Sequence, residues 1–185
     1  MNTLRYMVLD VETRRSAQEV GGWHRAGEMG VSVAVLYDSG PDAFLSFEQE
    51  ALPELFDLLA QADLVVGFNI LGFDYAVLQA FTDIRLQALP TLDMLTQVQR
   101  QLGRRVSLDN LARATLNAGK SADGMAALRW WKEGRLAQIA EYCRMDVDIT
   151  RRLYLYGCEH GRVFCSDVLG GRRAVPALWS AERPA

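Results

Sequence analysis

Apolar residues fall in short runs along the first third of the chain and at helical spacing along much of the remainder. Residues 6–9 (YMVL) form an unbroken apolar run before Asp10 and predict a short interior strand. Residues 29–38 (MGVSVAVLYD) predict a second strand, closed by the turn signal Asp-Ser-Gly-Pro. Residues 43–48 (AFLSFE) alternate and follow that turn closely, as a hairpin partner would. Leu52, Leu55, Phe56 and Leu59 recur with a helical period within 49–62, and residues 63–69 (DLVVGFN) form a continuously apolar strand. Helical signals follow over 72–81, after a brief strand within 88–103, over 107–116 behind Ser107, and over 122–135. The longest helix signal, 135–161, stops at Gly161. Residues 162–168 (RVFCSDV) suit a last strand or the start of a tail. The stretch from Gly170 to Ala185, punctuated by Arg and Pro, is expected to attach loosely.

Three strands followed by alternating helices and strands predict an α/β domain. Its mixed sheet of five to six strands, flanked by helices, is antiparallel first and parallel after the first helix. The expected organisation is one domain over residues 1–169 and a C-terminal tail over 170–185.

Composition narrows the class. At 185 residues, 50% hydrophobic and 23% charged, the chain is long enough for one full core. A net charge of −3 argues against a non-specific nucleic-acid packaging protein, although metal ions masking the acids would change that sum. No apolar run is long enough to span a membrane, and the first acids come too early for a secretory signal. Three cysteines without Cys-x-x-Cys spacing suit reduced thiols in the cytoplasm. Cys158, His160 and Cys165 lack the fourth ligand of a structural zinc site.

The chemistry lies in the acids. Asp10 and Glu12 are two apart on a strand, so they share a face about 7 Å apart along the backbone. Like charges held that close need a proton or a cation. Asp74 sits at the start of the helix after 63–69, and Asp146 lies on the long helix one turn beyond Tyr142, so these two share a face. The pair Tyr6 and Asp10 has the same spacing, but on a strand it lies about 13 Å apart and means nothing. Carboxylates from separated segments are hard ligands for Mg²⁺ or Mn²⁺, and two such ions about 4 Å apart suit in-line displacement at phosphorus.

The stretches LDVET, NILGFD and YCRMDVDIT resemble the three motifs of the DEDD 3′→5′ exonucleases, of ribonuclease H-like fold. The Tyr-x-x-x-Asp form of the third motif is that of the DEDDy branch, which includes polymerase proofreading domains and stand-alone bacterial exonucleases. The second and third motifs are more similar to family B than to family A proofreading domains. The resemblance spans residues 6 to about 154. It implies metal ligands at Asp10, Glu12, Asp74 and Asp146, two divalent cations (Mg²⁺ or Mn²⁺), and a Tyr142 that orients or helps deprotonate the attacking water. It also implies hydrolysis at single-stranded 3′ ends with release of nucleoside 5′-monophosphates, DNA being favoured over RNA. A helicase or polymerase partner is compatible with such a nuclease but is not readable from the sequence.

Candidate substrate contacts are Thr13, Trp23, Asn69, Phe73 and Lys120. Asn69 is equally well a strand-end cap, and Phe73 a core residue or a wedge near the terminal bases. Trp23 lies in a glycine-rich, mobile-looking loop and is either a stacking platform or an aromatic folded onto the domain. Residues 114–121 (ATLNAGKS) nearly fit a phosphate-binding loop, but a helix rather than a buried strand precedes them. Trp130 and Trp131 suggest one core and one surface residue. Arg14, Arg15, Arg104, Arg105, Arg129, Lys132 and Arg135 are groove candidates or solvated charges. Asp93 is a candidate for supporting a metal ligand from behind, and Asp148 points away from Asp146. The rival readings are a catalytically silent ribonuclease H-like binding module and a phosphodiesterase acting on small molecules.

Overall fold

Val31–Asp38 is buried at every position, which is possible only for a strand covered on both faces. A computed structural model describes residues 4–119, 124–167 and 170–179. In it this strand, β2, pairs antiparallel with β1 (Tyr6–Thr13) and β3 (Ala43–Phe47). After α1 (Ala17–Val20), which precedes β2, come α2 (Leu52–Leu59) and β4 (Leu64–Gly67), which runs parallel to β1. Then α3 (Asp74–Leu78) leads to β5 (Thr91–Asp93), parallel to β4. The sheet order is β3-β2-β1-β4-β5, mixed as the sequence pattern implies. Helices α4 (Met94–Leu102), α5 (Leu108–Leu116), α6 (Gly124–Lys132) and α7 (Leu136–His160) complete the α/β fold.

Two cores lie on the two faces of the sheet. Val8, Val35 and Val66 pack with Ile139, Val147 and Leu153 of α7. Met7, Leu9 and Val65 pack with Leu55 and Leu59 of α2 and Leu78 of α3. Strand alternation therefore sends Asp10 and Glu12 to the α7 side of β1. Helix boundaries follow local chemistry. Ser107 caps α5 through the N–H of Asn110, and Gly103 and Gly161 end α4 and α7 with left-handed backbone.

Three expectations are corrected. The C-terminal stretch is not loose throughout, because β7 (Arg172–Pro176) pairs antiparallel with β6 (Arg162–Ser166) in a separate two-stranded ribbon. Val175 and Ala177 are buried, and Trp179 packs over Gly157, where a Cβ would overlap its ring. The segment after Thr13 is not a plain glycine-rich loop. It holds α1, closed by a Ser16–Glu19 capping box, and a 3₁₀ stretch over Trp23–Glu28. Its glycines end the first and begin the second, so punctuation conceals two short helices. Trp130 and Trp131 are both half-buried: Trp130 meets the Tyr142 ring edge-on, and Trp131 lies beneath the Arg14 guanidinium.

Candidate active site

The β1 strand delivers Asp10 and Glu12 to the site, and α7 delivers Asp146. Oxygens of these three carboxylates lie within 4.8 Å of one another. A one-turn offset places Tyr142 beside Asp146, and both line one cavity of about 680 Å³ with Asp10 and Glu12. Asp74 is the first residue of α3 and lies outside the 4.8 Å group. It is 2% exposed, and its Oδ1 has no hydrogen-bond partner. Burial, and next the charge of Asp10, push its carboxyl well above the ordinary range.

This donor set fits a hard divalent cation. It is all oxygen and drawn from three elements, and it includes the orphaned buried Oδ1 of Asp74, a carboxyl that feels the Asp10 charge. Asp10 is further fixed by the Cys143 thiol, whose Sγ lies 3.3 Å from both its Oδ2 and its carbonyl oxygen. Burial, followed by the Asp10 and Glu12 charges, raises the thiol well above its usual range and keeps it a donor. The sequence reading missed this role; its only signal is that Cys143 directly follows Tyr142 on the acid-bearing helix.

The turn between β4 and α3 sets Asp74. Asn69 takes left-handed backbone (φ 65°), and its carbonyl accepts from the N–H groups of Gly72 and Phe73. Buried Asp93 braces that turn, accepting from the backbone N–H of Asn69 at 3.0 Å and of Leu71 at 3.1 Å. It also caps α4 through the N–H of Thr96. Asp93 is thus a structural support of the site, and Asn69 is the strand-end turn residue. The Asn69 side chain still reaches outward, where its Oδ1 accepts from Arg105 Nη2 at 3.2 Å.

The remaining expected contacts separate. Thr13, Trp23 and Phe73 line the larger cavity with the acids, Trp23 meeting Phe73 edge-on at 5.9 Å between ring centroids. Trp23 is 71% exposed, so its ring lies open to a ligand. The Thr13 hydroxyl donates to the Arg15 carbonyl. Asn69 lines a second cavity of about 510 Å³ with Arg105 and Ser107, which shares Asp10 and Asp146 with the first. Lys120 lies outside the described residues. Arg14 is committed to Glu50, the Val31 carbonyl and Trp131, while Asp148 points to Arg151 and Arg152.

A mixed five-stranded sheet with acids at the end of its central strand and on a facing helix defines a ribonuclease H-like protein. Residues 8–156 match the family model described as the RNase_H superfamily, and the chain belongs to that superfamily. In structure it is similar to the family B DNA polymerase from the hyperthermophilic archaeon Pyrobaculum calidifontis, with a TM-score of 0.61 at 17% identity. The similarity covers 83% of this chain and 24% of the polymerase, so the chain spans about a quarter of that protein's length. No curated protein matches the sequence. Among the described residues no helix is long and apolar enough to cross a membrane.

Proposed function

We propose that this protein is a DEDDy-type 3′→5′ exonuclease that shortens single-stranded 3′ ends and releases nucleoside 5′-monophosphates. The observation that carries this reading is the convergence of Asp10, Glu12 and Asp146 within 4.8 Å, in a cavity they share with Tyr142, together with a buried Asp74 whose Oδ1 has no hydrogen-bond partner. Asp10, Glu12, Asp74 and Asp146 would hold two divalent cations, Mg²⁺ or Mn²⁺. Those ions would supply a nucleophilic hydroxide at neutral pH and charge stabilisation for the leaving oxygen. The protein's own groups do the rest. Tyr142 lines the cavity with Asp146 and would orient a water there. Trp23 and Phe73 offer ring faces and edges to terminal bases, a contact that tolerates any base. Cys143 and the Asp93-braced turn hold Asp10 and Asp74 in place.

Two cavities that share Asp10 and Asp146 suit a linear polymer better than a compact diester. DNA is favoured over RNA. The test is digestion of matched 5′-labelled DNA and RNA single strands in Mg²⁺, Mn²⁺ or EDTA, with Asp10→Ala as control. A metal-dependent ladder receding from the 3′ end, lost in the variant, is expected. Binding without shortening would instead establish a silent binding module.

A further inference from the structure

The described arginines differ in what holds them. Those on α7 are ion-paired, Arg144 with Glu141 and Arg151 and Arg152 with Asp148, as are Arg5 with Asp38 and Arg14 with Glu50 at the two ends of β1. The arginines of the α4–α5 loop and the β6–β7 ribbon are not. Among the described residues, none of Arg104, Arg105, Arg162, Arg172 and Arg173 is ion-paired to a carboxylate. Neutral groups hold Arg104, Arg105, Arg162 and Arg172 instead. Arg104 donates to the Ser166 carbonyl, and Ser166 faces Arg172 across the ribbon. Arg172 uses only its Nε, on the Ala114 carbonyl, and lies 3.6 Å over the Phe164 ring. Arg162 approaches the same ring at 5.9 Å. Nearby acids are otherwise engaged: Asp109 pairs with Arg113, and Asp167 accepts from the Gly171 N–H.

A guanidinium fixed by a carbonyl or an aromatic face keeps its full charge and its outer N–H groups for a ligand. The cluster is also continuous with the acid site. Arg105, next to Arg104, lines the smaller cavity with Asn69, Asp10 and Asp146. In a chain of net charge −3, such a stripe suits a polyanion that ends at the acids.

We propose that Arg104, Arg162 and Arg172 form a second nucleic-acid surface, which binds the phosphodiester backbone of the strand leading to the acid site through the Arg105 side. This rests on the exonuclease reading, and it assigns the strand's path: terminal bases in the Trp23–Phe73 cavity, upstream phosphates along the arginine ribbon. The β6–β7 ribbon then lengthens the footprint beyond what the acid-bearing sheet alone can hold.

The test is fluorescence anisotropy in EDTA, which prevents hydrolysis. Single-stranded DNA and RNA of about 15 nucleotides, a length within the reach of such tracks, are compared with a trinucleotide. Each phosphate neutralised on a single strand contributes about 0.7 to the slope of log affinity against log salt, so three arginines contribute about two. The variant carrying Arg104→Ala, Arg162→Ala and Arg172→Ala is therefore expected to lose about tenfold or more in affinity for the long strands, with a slope shallower by about two. Trinucleotide affinity should change less than about twofold, since so short a ligand releases few counterions there. The matching Arg→Lys variant keeps the charges and should retain most of the slope, even if the alanine variant folds poorly. An unchanged slope in the alanine variant, or a lysine variant no better than it, overturns the proposal. If arginine-dependent binding holds but wild type releases no nucleotide with Mn²⁺, the surface stands and the hydrolytic reading falls.

Discussion

Replacing Asp74 by Asn separates what the acid site costs the fold from what it does. Asp74 is buried, its Oδ1 has no partner, and its carboxyl is disfavoured as an anion by burial and by Asp10. A buried polar group left unsatisfied costs about 1–3 kcal/mol, and a charged one more. The amide keeps the shape and the polar cost but removes the charge and its repulsion from Asp10, a gain of about 1–2 kcal/mol without metal. For a chain of this size each kcal/mol moves the melting temperature by about 2–4 °C, so the variant should melt about 2–8 °C above wild type in EDTA. Excess Mn²⁺ reverses the order. Binding to the native state alone adds about 2.7 kcal/mol at a hundredfold excess over Kd, a gain the variant largely forgoes. Thermal melts followed by circular dichroism, in EDTA and in Mn²⁺, measure both. A variant no more stable than wild type in EDTA, or equally stabilised by Mn²⁺, refutes the assignment of Asp74 as a ligand.

Cys143→Ala removes a donor to Asp10 and should lower the hydrolysis rate about 2–10-fold, the worth of one hydrogen bond of about 0.5–1.5 kcal/mol, with Cys143→Ser restoring part of it. Gly67→Ala brings a Cβ to 2.6 Å from the Ile70 Cβ, so it should cost about 1–3 kcal/mol in denaturant melts and shift the turn that carries Asp74. The Asp38 carboxylate is held below its ordinary range by two N–H groups of Arg5, at 3.0 Å and 2.6 Å. Its folded value lies under the unfolded value of about 3.9, so its stabilisation is complete above about pH 4 and drains away as pH falls through that lower value. Asp38→Asn should therefore cost about 1–2 kcal/mol at neutral pH, with the gap to wild type closing in melts at about pH 3.

The sheet was legible because its strands are marked twice, by apolar runs and by the turn residues between them. The helices α4, α5 and α7 were legible because Ser107 begins α5 and Gly103 and Gly161 end α4 and α7, while the cap that Asp93 gives α4 went unread. The acids stood out through spacing: two apart on a strand, and one turn from a tyrosine on a helix. What stayed hidden depends on contacts between distant segments. That Asp93 supports the Asn69 turn is a matter of hydrogen bonds across 24 residues of sequence. Cys143 approaches Asp10 across 133 residues. The ribbon strand β7 is short, and three of its residues are exposed before Val175, so no periodicity marks it. The arginine cluster was visible only as scattered charges, because pairing with acids is what distinguishes one arginine from another.

On the proposed function, the Asp10–Glu12–Asp74–Asp146 set hydrolyses a strand from its 3′ end. Its most direct test is chromatography of the products released from an unlabelled single-stranded oligonucleotide by wild type with Mn²⁺, beside Asp146→Asn. Nucleoside 5′-monophosphates from the earliest times, absent with the variant or with EDTA, are the predicted result. Internal fragments without mononucleotides, or an oligonucleotide left intact by wild type, would contradict it.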